Sequence, residues 1–399
     1  MNGYYRFVMK KSLLYSLALI LAACGDRTGD NESTGTQGII WQTGRAIDLN
    51  KISPVSVLDL VDSIQIVQLE ADKRCFINTI EKVLFYNGKY YVLDQRQQAV
   101  FFFDQSGKFV RKISDSGRGP QEYEYLEDIV IDPYNGQLLL VVPFGSVLCF
   151  DLDGNFVSKI HIPDTGAINE IHVLDADRWL FVSLNDHQIL YFSKRENQIV
   201  ERLYERLPGS SLWPIRRPYA YNDSIFFSPI LSNETLNMKD QSRRVSFSWD
   251  FGANNNRQKS IKSLSQEFER LLNNPNIAPR DKNRESLNLM RRLLNHYIRY
   301  TREWSRYRMA VLEYKGDDMH VVFDKQEHKT VVFRKTKEGV RWINSYFMCN
   351  QDMVITYDVD GASWIGYTKD ILSPAQLQIV EAHNPEVDNP FLVIHHLKK

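Results

Sequence analysis

Few side chains in this sequence stand at spacings that support chemistry. The clearest is Cys24, at the end of Leu21-Ala22-Ala23-Cys24-Gly25. Small residues followed by Cys at the close of an apolar run suit cleavage and acylation of that thiol. Lys10 and Lys11 precede the run Leu13–Ala23, which is too short to span a membrane. Arg118 and Glu122 form a second candidate set, in the loop Gly117-Arg-Gly-Pro-Gln-Glu-Tyr123. Their opposite charges suit a polar ligand, and the bland alternative is a shaped turn with Glu122 on backbone amides and Tyr123 packed between elements. Trp213, Arg216, Arg217 and Tyr219 form the third, in residues 209–221. Aromatic faces beside fixed cations suit sugars, carboxylates or a protein partner. Alanine at Trp213, Arg216 and Arg217 is expected to weaken capture of that partner and leave the fold intact.

Catalytic patterns are thin. There is no HExxH motif, and His395 and His396 face opposite sides if they lie in one strand. Asp151-x-Asp153-x-Asn155 begins like a calcium loop, but Phe156 and Ile162 stand where such a loop needs Gly and Glu. Gly361-Ala-Ser-Trp-Ile-Gly366 misses the spacing of a nucleophile elbow. Carboxylates such as Glu127, Asp128 and Asp132 would point into a central channel if their strands line one, although scattered acids at strand ends are common. Cys75, Cys149 and Cys349 are widely spaced with no CxxC pair, and read as buried thiols. No catalytic residue, metal ligand or cofactor is assigned. Ca²⁺ enters only under the alternative, a metal-assisted hydrolase or lyase in the channel.

The elements that must position these residues are strands. Of 399 residues, 12% are aromatic, which favours strands. Lys+Arg and Asp+Glu both number 49, so no global charge attracts nucleic acid. Residues 100–113 and 147–160 repeat one pattern. Phe103, Asp104, Gly107, Phe109, Val110, Lys112 and Ile113 recur 47 residues later as Phe150, Asp151, Gly154, Phe156, Val157, Lys159 and Ile160. Each copy reads strand, Asp-x-x-Gly turn, strand, with another apolar run upstream, Tyr90–Asp94 and Leu138–Val142. A weaker third copy occupies 189–200. Such a period, with about four strands per unit, implies an all-β, six-bladed β-propeller. Residues 63–69 and 391–397 are the outlying strands, and their pairing would close the ring from both chain ends.

The predicted organisation is a signal peptide over 1–23, a polar tether over 24–45 and the propeller over 46–399. A helical insert is predicted over 254–305, with an amphipathic helix over 284–300 on Leu287, Met290, Leu294 and Tyr297, and a shorter helix around Leu264, Phe268 and Leu271. A second helical segment is predicted within 361–388. From 254 to 308 there are 13 Lys/Arg against 5 Asp/Glu, a basic surplus suited to anionic lipid, an acidic partner or a glycan, the bland alternative being a helix pair packed on the propeller with a solvated basic face.

The lipobox, the Phe-Asp-x-x-Gly-x-Phe-Val repeats, the 117–123 loop, Phe251-Gly252 and the ending Asp388-Asn-Pro-Phe-Leu-Val-Ile394 together resemble the six-bladed propeller lipoproteins of Bacteroidetes. These are related in architecture to NHL-repeat and TolB-like propellers. The resemblance implies a fold and an address, an outer membrane reached through a lipid on Cys24, and no established activity. The function expected is a lipid-anchored cell-envelope module that binds a protein or glycan partner and no nucleic acid.

Overall fold

The computed structural model describes residues 42–43, 46–206, 216–339, 349–350, 352–359 and 369–399, all within one compact unit. The signal peptide, Cys24, most of the tether, Trp213 and the 361–366 segment lie outside the described residues.

Why this chain makes blades is visible in its third strands. Ala99–Asp104 reads Ala-Val-Phe-Phe-Phe-Asp, and successive side chains point to opposite faces. Phe101 and Phe103 pack with Leu392 and Ile394 on one side. Val100 and Phe102 pack with Ile129, Leu138 and Leu148 on the other. A strand buried on both faces shows a continuous apolar run rather than alternation, and only a neighbour on each side can bury it.

The strands form six four-stranded antiparallel sheets. Blades 1 to 5 are each built from four consecutive strands, spanning Lys82–Ile113, Asp128–His161, Ile168–Glu205, Tyr219–Ser248 and His296–Phe333. Six apolar clusters fill the six junctions between neighbouring blades. In blades 1 to 3 the first strand contacts its neighbours around the axis and the fourth carries exposed residues. The first strand is therefore innermost.

Blade 6 joins the two ends of the chain. Its order from the outside is Val61–Gln68, Phe391–Leu397, Met353–Asp358, Cys349–Asn350. Val61 pairs with Leu397 and Gln68 with Phe391, so the expected closure forms. Asn389, 2% exposed, fastens the seam to blade 1. Its Nδ2 donates to the carbonyls of Glu70 (2.7 Å) and Cys75 (2.8 Å), and its Oδ1 accepts from the Ile77 amide (2.7 Å).

The repeat is a shared hairpin. Asp104 Oδ1 accepts from the Ser106 amide, and Asp151 Oδ1 from the Asp153 amide. Gly107 and Gly154 take φ of +86° and +83°, values that favour glycine. A Cβ on Gly107 would lie 1.9 Å from the Gln68 carbonyl oxygen, so this turn also abuts the closing strand.

There are four α-helices, α1 (Val57–Leu60), α2 (Gln258–Asn273), α3 (Pro279–Leu293) and α4 (Pro374–Ala382), among the described residues. α2 ends at Asn273, before the Asn-Pro pair, as expected. The helix expected over 284–300 is shorter at its far end: α3 stops at Leu293, and His296–Glu303 is the innermost strand of blade 5. Tyr297, Ile298, Tyr300 and Thr301 favour strands, and pairing along Tyr307–Tyr314 outweighs the helical spacing that extends to Tyr297. The apolar face differs too. Leu289 and Met290 pack with Leu264 and Phe268, while Leu287 is exposed.

Candidate functional site

Strand order fixes two ends of the ring. The inner strands begin, and the loops crossing between blades lie, at one end. The turns joining second to third strands lie there too. The Asp-x-x-Gly turns lie at the other. The crossing-loop end carries the insert and an unusual rim.

The rim is apolar and exposed. Phe76 and Tyr125 stand on crossing loops, and Phe144 and Leu184 on second-to-third-strand turns, each about 40% exposed or more except Tyr125 at 38%. Phe144 is held at φ +72°, a left-handed conformation costly for a bulky side chain. Gly145 follows at φ +95°, and a Cβ there would lie 2.6 Å from the Ile162 carbonyl oxygen. The turn therefore holds an aromatic ring outward at a conformational cost.

Inside the rim, the starts of the inner strands of blades 1 to 3, with Arg217 just before that of blade 4, place charged groups around the channel mouth. Asp128 accepts from Lys82 Nζ (2.7 Å) and from the Ile171 amide (3.0 Å), bridging three blades. Glu170 meets Arg217 at 3.0 Å and His172 at 2.9 Å. Burial alone would raise the Glu170 carboxyl, but Arg217 and His172 outweigh it and hold it below the ordinary range. Glu127 receives one bond, from Asn169 Nδ2 at 2.5 Å. Burial pushes its carboxyl up to about 7, against the pull of Asn169 and Arg217. Glu81, beside it on blade 1, is also raised, first by burial and then by Asp94. Burial also raises the Asp128 carboxyl, against the pull of Lys82, so of the four acids at the mouth Glu170 alone is shifted downward.

Most side chains singled out from the sequence serve the fold. Arg118 is largely exposed and pairs with Glu124. Glu122 accepts from the Gly119 amide at 2.8 Å, which shapes the turn. Tyr123 is buried, its hydroxyl donating to the Gln98 carbonyl at 2.8 Å. Arg216 is buried, its guanidinium 5.4 Å from the Tyr297 ring, and burial lowers its basicity. Arg217 holds Glu170. Tyr219 is buried against Phe226, ring centroids 5.5 Å apart. Alanine at Arg216 or Arg217 therefore removes a structural group, contrary to the expectation that the fold stays intact. Asp132 caps its own turn, accepting from the amides of Tyr134 and Asn135. Cys75 and Cys149 are buried free thiols. Among the described residues, no three His, Cys, Asp or Glu are spaced to hold a metal ion, and no helix is long and apolar enough to cross a membrane. The sequence reading missed the rim residues Phe76, Tyr125, Phe144 and Leu184, and Glu81 and Glu170 of the mouth. Only the turn position of Phe144 and Leu184 and, for Phe144, the following Gly145 give a signal.

Fold and mouth define a six-bladed β-propeller with an apolar rim around a charged channel entrance. The chain belongs to the family described as a domain of unknown function, DUF4934, matched over residues 45–396. Its fold is similar to the crystal structure of a protein described as exported from Bacteroides fragilis. That match has 15% identity and a TM-score of 0.66, and covers 84% of this chain and 95% of the other. A DUF4221 family member from Bacteroides vulgatus matches at 10% identity and a TM-score of 0.48, covering 84% of this chain and 98% of the other. BamB from Moraxella catarrhalis matches at 11% identity and a TM-score of 0.40, over 74% of each chain. At 15% identity the likeness to the Bacteroides fragilis protein is one of fold. No curated protein matches the chain.

Proposed function

We propose that this protein is an exported, lipid-anchored propeller of the outer membrane that binds a protein or glycan partner at its crossing-loop end. The observation that carries this reading is the rim. Phe76, Tyr125, Phe144 and Leu184 are exposed around a charged mouth, and Phe144 is held out in a strained conformation. Exposed apolar groups beside polar ones on a rigid scaffold are the composition of an interface. The address rests on the lipobox, with Cys24 as the acylated residue.

The test is Phe144→Asn. Asn tolerates the left-handed region, so the variant should be more stable by about 1 kcal/mol while losing retention of the partner from envelope extracts. Lower stability with unchanged retention would remove Phe144 from the interface. Metabolic labelling with a palmitate analogue should mark the wild type and not Cys24→Ala.

A second reading, a metal-assisted hydrolase or lyase in the channel, draws on two carboxyls of the mouth shifted in opposite directions, Glu127 upward and Glu170 downward. It requires Glu127→Gln to abolish a hydrolytic or elimination reaction of the purified protein.

A further inference from the structure

We infer that the helical insert is a membrane-docking element whose α3 face lies on anionic phospholipid headgroups. This rests on the lipid-anchor reading above and adds the surface that the anchored domain presents to the bilayer.

The first observation is the face. Leu289 and Met290 of α3 turn inward onto α2, and Ser286 is buried beside them. The opposite side carries Arg280, Arg284, Leu287 and Arg291, spaced four, three and four residues apart, which is one helical stripe. The arginine side chains are 89%, 69% and 43% exposed, and Leu287 is 39% exposed. Asp281 and Glu285 approach the first two arginines at 3.3 to 3.9 Å, and such exposed pairs are weak, whereas Arg291 is tied to the buried Glu313 carboxylate of blade 5, so the charge the stripe offers is mainly that of Arg280 and Arg284. Residues 257–294 hold nine Lys/Arg against four Asp/Glu. A short basic stripe with one apolar side chain at its centre suits headgroups with shallow insertion, not spanning.

The second observation is where the tether meets the fold. The Ile47 amide donates to the Asp250 carbonyl at 2.7 Å, and a Cβ on Gly252 would lie 3.2 Å from Ala46 Cβ. The insert begins a few residues later, at Gln258. Upstream, Gln42 exchanges two backbone hydrogen bonds of 2.7 Å with Thr330 on the outer strand of blade 5, so the chain leading from Cys24 reaches the fold along that edge and passes on to the root of the insert. Some twenty residues, mostly polar, separate Cys24 from this junction, and a chain of that length has a reach of about 25 Å. That length keeps this edge of blades 4 and 5 near the bilayer, where each basic residue adds attraction to an anionic surface.

The experiment is co-sedimentation of the unacylated chain from residue 25 onward, which contains the whole compact unit, with phosphatidylcholine vesicles with and without phosphatidylglycerol. The expected result is binding to the anionic vesicles alone, lost at high salt as screening shortens the reach of charge. Arg280→Glu with Arg284→Glu should weaken it at least about tenfold, and Leu287→Ser should weaken it without changing its salt dependence. Both variants alter exposed side chains, and an unchanged melting temperature confirms that they fold. Absence of wild-type binding to anionic vesicles, equal binding to neutral ones, or an unaffected double arginine variant would overturn the inference. Absence of binding would leave an acidic protein as the occupant of the face. Because this chain lacks Cys24, the outcome is read independently of acylation.

Discussion

Glu127 is a carboxylic acid whose fold opposes its ionisation. Burial lifts it to about 7, while an unfolded Glu titrates near 4. Between those values the folded state binds more protons than the unfolded one, so stability falls as pH rises through the window. Glu127→Gln should therefore stabilise the protein by about 2 kcal/mol at pH 8 and hardly at all at pH 4, as read by thermal melts. Equal effects at both pH values would show that the carboxyl ionises normally. Glu170 has the opposite sign. Its pairing contributes stability above its unfolded value, and that contribution fades as pH falls through the lower folded value. Arg217→Ala leaves Glu170 buried with His172 as its remaining partner, at a cost of about 2 kcal/mol at neutral pH, since Arg217 is itself partly in solvent. An unaltered urea midpoint would mean that Glu170 does not depend on it.

At the scale of elements, the seam of blade 6 holds the ring shut. Pairing between Val61–Gln68 and Phe391–Leu397 brings the two chain ends together, and Asn389 ties that junction to the loop before blade 1. Asn389→Ala strands one amide and two carbonyls in a buried site and should cost about 3 kcal/mol in urea unfolding. A change below about 0.5 kcal/mol would show that water replaces the side chain. Much of this level was legible in the sequence. Phe103-Asp104 and Phe150-Asp151 recur because both chains turn through a glycine at positive φ, and Val110 and Val157 are equally exposed on the two outer strands. The closing strands stood out because neither has a hairpin partner nearby in sequence. The boundary at 293–296 was hidden because Leu294 and Tyr297 satisfy a helical spacing while Ile298 and Thr301 favour a strand, and only pairing with Tyr307–Tyr314 decides between them. The mouth was hidden for another reason. Glu81, Glu127, Glu170 and Arg217 come from four blades, and no local pattern announces that a closed ring brings them together.

For the whole molecule, two-sided burial makes six small sheets into one rigid ring, and strand order makes its ends unequal. One end carries short Asp-x-x-Gly turns. The other carries the crossing loops, the rim of Phe76, Tyr125, Phe144 and Leu184, the charged mouth and the root of the insert. Tyr134, 42% exposed, shows that single apolar side chains surface at the turn end too, so the claim of a binding module rests on the four at the crossing-loop end, on Phe144 held out at positive φ, and on the charged mouth they accompany. The direct measurement is in-cell photo-crosslinking with a photoreactive residue at Leu184, on the rim, compared with one at Ser106, in a turn at the opposite end. A discrete crosslinked species from position 184 and none from position 106 is the expected result. The same species from both positions, or from position 106 alone, would contradict the assignment of the crossing-loop end as the binding face.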